Sequence, residues 1–111
     1  MTRRRADLLQ GTLEMLILKT LSLGEPMHGW GVATRIEQRS KDTLRINQGS
    51  LYPALHRLEH KGWIRSAWGT SENNRRAKFY RLTALGRRHL GEEQVQWTAF
   101  VGAVQQIMHA T

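Results

Sequence analysis

Apolar positions in this chain follow a helical period first, then a strand period, then a helical one again. Leu9, Leu13, Leu16, Ile17 and Leu21 recur at helical spacing and predict a first helix from Asp7 to Leu23 with a broad buried face. Gly24-Glu25-Pro26 stops it, because Gly suits the left-handed position past a helix and Pro cannot extend one. A second helix is expected over residues 28–39, burying Trp30, Ala33 and Ile36, with Lys41-Asp42 as the break after it. Leu44-Arg45-Ile46 alternates briefly and reads as a very short strand.

The third helix lies between Asn47 and Lys61, where Leu51, Leu55 and Leu58 form a narrow stripe and Gly62 marks the end. Pro53 bears on where it starts. An Asn47 cap puts Pro53 beyond the first turn, at the loss of a backbone bond, whereas a Ser50 cap keeps it inside that turn, where its missing N–H costs little. The pattern prefers Ser50, with one irregular turn ahead of it. Two strand-like runs follow, Trp63 to Trp68 and Lys78 to Leu82, in which Ile64, Trp68, Tyr80 and Leu82 point inward at period two. The polar stretch from Gly69 to Arg76 is too long for a two-residue hairpin. Thr83 is placed to cap a last helix running toward Met108. This order predicts a mainly α protein with a small β-hairpin wing, a winged helix-turn-helix plus a long C-terminal helix. A helical bundle shares the first three elements but has no use for the hairpin.

With 111 residues and 40% apolar content the chain supports one domain with a modest core, the kind that completes its burial by pairing with a copy of itself. Charge changes the picture more. Seventeen Lys and Arg, thirteen of them Arg, face nine Asp and Glu, a formal net charge of +8 that favours a polyanionic partner. A solvated positive surface is the plain alternative, and clustering argues against it: nine cations between Arg57 and Arg88 face only Glu59 and Glu72. Zero Cys excludes disulfides, thiolate zinc sites and thiol catalysis. Arg3, Arg4 and Arg5 open the chain like a signal peptide, but Asp7, Gln10 and Glu14 interrupt any apolar core of one, so a soluble, cytoplasmic protein with no membrane role is expected. The three arginines fit equally a phosphate-binding arm and a solubilising end.

On the third helix, Gly49, Pro53, His56 and His60 fall opposite the leucine stripe, flanked by Ser50, Tyr52 and Arg57, with no acid among them. Small residues near a helix N-terminus admit phosphate, and the imidazole and guanidinium further along can reach base edges. Arg75, Arg76 and Lys78 cluster at the turn of the hairpin, where a wing meets the DNA backbone or minor groove; edge protection is the bland reading of the same cations.

These residues carry a resemblance. The segments Leu9-Gln10-Gly11-Thr12-Leu13, Leu16-Ile17-Leu18, His28-Gly29-Trp30, Gly49-Ser50-Leu51-Tyr52-Pro53-Ala54-Leu55, Arg57-Leu58-Glu59, Gly62-Trp63-Ile64, Trp68, Arg75-Arg76-Ala77-Lys78-Phe79-Tyr80, Leu82-Thr83 and Gly86 together resemble the PadR family of winged-helix transcriptional regulators. The resemblance is closest to a branch marked by Asn47-Gln48-Gly49-Ser50 and by the residues 70–76. It implies a homodimer that represses promoters through roughly palindromic operators, with the third helix in the major groove, Tyr52 on the backbone and the wing cations on phosphates. The candidate DNA contacts are Gln48, Gly49, Ser50, Tyr52, Pro53, His56, Arg57, Arg75, Arg76 and Lys78. Trp30 stands where the family more often has Tyr, and the single C-terminal helix resembles the short members.

Along that helix Leu90, Trp97 and Val104 are seven apart, Phe100 and Ile107 take the intermediate positions, and Val101 and Met108 widen the stripe. Gly91, Glu93 and Gly102 weaken it, so it suits an arm packing against a partner's arm more than a free-standing coiled coil. The expected division is residues 1–6 as a basic arm, 7–83 as the DNA-binding winged helix and 84–111 as the dimerisation helix. Trp97 is read first as a residue filling the dimer contact. The resemblance to short members also implies a wall for a flat aromatic effector.

Other classes fare worse. His56 and His60 are spaced to pinch a metal but lack a third ligand, neither a phosphate-binding glycine loop nor a nucleophile–base pattern appears, and no cofactor is implied. An architectural nucleic-acid binder without sequence preference is the main rival, and a module binding a different protein through its last helix is a third.

Overall fold

The computed structural model describes residues 10–111. Helix α1 (Gln10–Ser22), strand β1 (Met27–His28), helices α2 (Gly29–Arg39) and α3 (Gln48–His60), strands β2 (Ile64–Thr70) and β3 (Arg76–Leu82) and helix α4 (Ala84–Met108) follow in that order. The expected beginning of the first helix at Asp7, the contribution of Leu9 and the arginine arm lie outside the described residues. The mainly α winged-helix architecture matches the pattern-based expectation, although the shortest strand lies elsewhere than expected.

The core sits where α1, α2 and α3 meet. Ile17, Leu18, Val32, Leu51, Leu55, Leu58 and Ile64 are almost completely buried there, and Leu44, Ile46 and Trp63 pack around them. Each such aliphatic side chain contributes about 1.5–3 kcal/mol by leaving water. Trp30 departs from its expected buried place and is 58% exposed. The inward face of α2 is made by Gly29, Val32, Ala33 and Ile36, and Trp30 lies about 100° round the helix from Gly29.

Helix α3 is capped by Asn47, not Ser50. The Asn47 Oδ1 accepts the Ser50 N–H at 2.9 Å while its carbonyl accepts the Leu51 N–H at 3.0 Å. Pro53 therefore lies inside the helix and leaves the Gly49 carbonyl without its i+4 donor, which an exposed first turn tolerates because water can reach that oxygen.

Leu44-Arg45-Ile46 forms no strand. Its amides are taken by side chains of the preceding segment, Leu44 N–H by Ser40 Oγ and Ile46 N–H by Glu37 Oε2, so neither remains for a ladder. The break before it uses left-handed backbone at Lys41 and Asp42. The third strand is instead Met27–His28, which pairs antiparallel with β3 in the sheet order β1-β3-β2. Two residues are too few to leave a periodic trace; the free edge of β3 creates this strand.

The hairpin pairs Ile64 with Leu82 and Thr70 with Arg76, so the strands run further out than expected and the turn shortens to Ser71–Arg75. Ser71 closes it, donating its N–H to the Arg75 carbonyl, and Asn74 adopts the left-handed conformation that Asn tolerates well. Ile64 and Tyr80 are buried and Leu82 packs on the core, but Trp68 is 58% exposed: the inward face of the ribbon outruns the core at that point.

Thr83 caps α4 as expected, its Oγ1 accepting the Gly86 N–H at 3.0 Å. The same hydroxyl donates to the Gly62 carbonyl, and the Thr83 N–H donates to the Trp63 carbonyl. Helix and hairpin thus approach so closely that a Cβ at Gly86 would stand 2.0 Å from the Trp63 carbonyl oxygen. Ala should therefore destabilise the fold at Gly86 by roughly 1–3 kcal/mol although it is the better helix former. Gly102→Ala, with open space around the added methyl, should instead raise stability by up to about 1 kcal/mol. Urea denaturation of the two variants checks the opposite signs.

Candidate nucleic-acid interface

Burying Leu51, Ala54, Leu55 and Leu58 turns the opposite side of α3 outward, so Gln48, Gly49, Ser50, Tyr52, Pro53 and His56 are all exposed along one side of the molecule. Tyr52 is held against α2, where Gly29 leaves room for its ring; a Cβ at Gly29 would lie 2.8 Å from Tyr52 Cε1. His28 caps α2 by accepting the Gly31 N–H on Nδ1 at 3.0 Å, and its ring meets Phe79 edge-on.

Wing cations complete this side. Arg75, Arg76 and Lys78 are exposed, and together with Trp30, Tyr52 and Trp68 they border a groove of about 540 Å³ between α2, α3 and the hairpin. Tyr80 lies at its base, and burial pushes that phenol's pKa up, with smaller pushes from Glu59 and Tyr52, so it stays neutral. Acids near α3 are engaged elsewhere: Glu59 accepts from Ser66 Oγ at 2.6 Å, and Glu37 holds the Ile46 amide. Glu72 stands at the wing turn, 3.7 Å from His28 Nε2.

Arg57, half-buried, borders a second pocket with Gly49, Ser50 and Pro53 and is the member of the expected set that makes an ion pair. It lies on the α1 side of α3, where its Nε donates to Glu14 Oε2 at 2.7 Å. That bond joins the two helices and engages the Arg57 guanidinium. Sequence reasoning missed two groove residues, Trp30 and Trp68, because an apolar period assigns a large aromatic to the core whenever its phase is nearly right. The excess of cations just after Trp68 was the signal that its end of the ribbon faces solvent.

A different set lies on α4. Leu90 is buried in the core of this chain, so its place in the stripe serves the chain's own fold. From Val95 onward the apolar side chains are largely bare: Phe100, Ile107 and Met108 are exposed, as are Trp97 and Val104, and Val101 is half-buried. Trp97 and Phe100 lean together, ring centroids 5.9 Å apart, beside a cleft of about 360 Å³ against Thr12 and Met15 of α1. Among the described residues no group of three or more His, Asp or Glu side chains could hold a metal ion, and no helix is long and apolar enough to cross a membrane.

A helix displayed on one side with a basic hairpin beside it defines the winged-helix class of transcription regulators. Residues 17–92 match the Transcriptional regulator PadR-like family, and the chain belongs to that family, one of regulators and not of enzymes. Among solved structures it is similar to a PadR family transcriptional regulator from Eggerthella lenta, with 30% identity and a TM-score of 0.77 over 92% of this chain and 86% of that one. A transcriptional regulator from Clostridium thermocellum is 26% identical with a TM-score of 0.78, covering 87% of this chain and 90% of the other. An uncharacterised protein of Lysinibacillus sphaericus is 31% identical over 84% of both chains.

The Arg57–Glu14 pair carries a prediction. Glu14 is only 12% exposed, so Arg57→Ala strands a carboxylate and should lower stability by about 1–3 kcal/mol. Adding Glu14→Gln should recover part of the loss, measured by denaturation of both variants; simple addition of two losses would mean that the pair is not coupled.

Proposed function

We propose that this PadR-family regulator is a homodimeric repressor of nearby genes that recognises a roughly palindromic operator. The observation that carries the reading is convergence: Tyr52 on the exposed side of α3 and the three wing cations border one groove, although they come from distant parts of the chain, and Gly49, Ser50, Pro53 and His56 are exposed on the same helix. In this reading α3 enters the major groove, with Gln48, Gly49 and Ser50 at its N-terminus approaching phosphate, Tyr52 and Pro53 against the backbone and His56 toward base edges. Arg75, Arg76 and Lys78 neutralise phosphates beside it. Residues 7–83 form the DNA-binding unit, and such a regulator works in the bacterial cytoplasm.

The second half of the reading concerns α4, residues 84–111. Trp97, Phe100, Val104, Ile107 and Met108 present an apolar strip that water covers at a cost, and a second copy of the same strip, antiparallel or parallel, would bury it on both sides. Val101 joins them from its half-buried place; Leu90 contributes only by holding the root of the helix. Trp97, at the edge of a cleft, is the residue against which a flat aromatic effector would stack if the dimer leaves a space there.

Selection of duplexes from a random pool by the purified protein tests the main reading. Enrichment of a symmetric sequence, bound on the order of 10³-fold more tightly than random DNA, is expected; affinity that follows salt alone, with no enriched sequence, would replace it with architectural binding. His56→Ala should change the preferred bases, whereas Arg75→Ala should weaken all duplexes alike and make log affinity less steep against log salt, by about 0.9 for each phosphate it ceases to neutralise. Sedimentation should give a dimer at micromolar concentration. Planar aromatic cations should quench the Trp fluorescence of the wild type and do so less in Trp97→Ala; equal quenching would remove the effector site.

A further inference from the structure

Two of the chain's four indoles, Trp30 and Trp68, stand with 58% of their surface exposed although a winged helix of this size has little apolar surface to spare. They belong to different elements, α2 and β2, yet border the same groove. Lone exposed aromatics need no explanation, but two on one concavity with three cations do.

The cations are placed by the sheet. Trp68 pairs directly with Lys78 across the ribbon, and Arg76 is two residues further along the same face. The Arg76 guanidinium lies 4.6 Å from the centroid of the Trp68 ring and the Lys78 ammonium 5.9 Å from it. The negative face of an indole attracts both, and the guanidinium, which is weakly hydrated and planar, gains most from lying against it. Arg76 is thereby held over the groove before anything binds, when a free arginine would sample many rotamers. Among the described residues no carboxylate borders this groove; Glu72 opens onto the neighbouring one with His28 and Arg35.

Alternating apolar rings and cations suit a ligand that alternates apolar rings and anions, and a deoxyribose–phosphate strand is such a ligand. We propose that the groove between α2, α3 and the hairpin seats one sugar–phosphate strand of duplex DNA, its deoxyribose rings against Trp30 and Trp68 and a phosphate on Arg76, with Trp68 as the positioning residue for that arginine. The inference rests on the DNA-binding reading of α3 and the wing, and extends the interface to two residues outside both the recognition helix and the basic turn. It also gives the wing a rigid grip on the backbone, so that α3 enters the major groove at a set angle.

A double-mutant cycle tests it, with the affinities of wild type, Trp68→Leu, Arg76→Ala and the double variant measured on the selected operator and on a random duplex. Trp68→Leu should weaken both duplexes by about three- to fivefold, since strand contacts are blind to sequence. The double variant should lose clearly less than the product of the two single losses, because Arg76 without its platform is already half lost. Trp68→Phe, which keeps a ring under the guanidinium, should restore most of the affinity, and Trp30→Ala should weaken both duplexes alike. Unfolding temperatures close to wild type are expected, since both indoles are exposed, and the rescue by Phe separates positioning from a folding defect. Single losses that multiply, a Trp68→Leu protein that binds like wild type, or an unaffected Trp30→Ala would overturn the seat while leaving the DNA-binding reading in place. A wild-type protein that binds no duplex would overturn both.

Discussion

Everything that faces outward in this protein depends on how completely one stripe of α3 is buried. Leu51, Leu55 and Leu58 are wholly enclosed by α1, α2 and the start of β2, and Ala54 between them lets the helices approach. A helix clamped so firmly along one side has no freedom to roll, and the opposite side is displayed in a set orientation. The constraint explains why polar and small residues at the N-terminus of α3 can remain in water without loss of order. It also explains how Pro53 is tolerated, for burial holds in place a helix whose hydrogen-bond ladder has a gap.

A similar economy governs the hairpin. One face of the ribbon carries Ile64, Ser66 and Trp68 on β2 and Leu82, Tyr80, Lys78 and Arg76 on β3, in register. Near its root this face is core. At Ser66 and Tyr80 it meets α3 through Glu59, and beyond them it runs past the end of the helices and becomes the wall of the groove. A single period-two alternation therefore supplies core and groove wall in turn, the change of role being set only by distance along the strand. The short pairing with Met27–His28 steadies the ribbon from its other edge and brings the cap of α2 beside the wing.

The junction of α3, β2 and α4 links these two units to the arm. Trp63 accepts the Thr83 amide through its carbonyl, while its ring stacks on His89 of α4 with centroids 3.6 Å apart, and the Lys61 ammonium lies 4.8 Å from the centroid of the same indole. Gly86 permits the contact and Leu90 seals it. Past this point α4 leaves the core, which is why the molecule extends to 56 Å along its longest axis. In the proposed dimer, an arm rooted so rigidly beside the end of α3 would set the distance between the two copies of α3.

Much of this was legible along the chain. Helical and alternating periods named six of the seven elements among the described residues, Thr83 and the glycines punctuated them, and the clustered cations of the hairpin with the acid-poor face of the third helix pointed to one surface, because each of these signals is local and repeats within a few residues. Tertiary structure decided the remainder. It moved the cap of α3 to Asn47, since a buried stripe outweighs the loss of one hydrogen bond at Pro53. It denied a strand to Leu44-Arg45-Ile46, whose amides were already taken, and made one of Met27–His28, which β3 was free to pair. It tied Arg57 to Glu14 and turned Leu90 inward. Above all it left Trp30 and Trp68 outside the core: Trp30 falls beside the inward face that Gly29, Val32, Ala33 and Ile36 make, and Trp68 points inward where the core no longer extends to meet it.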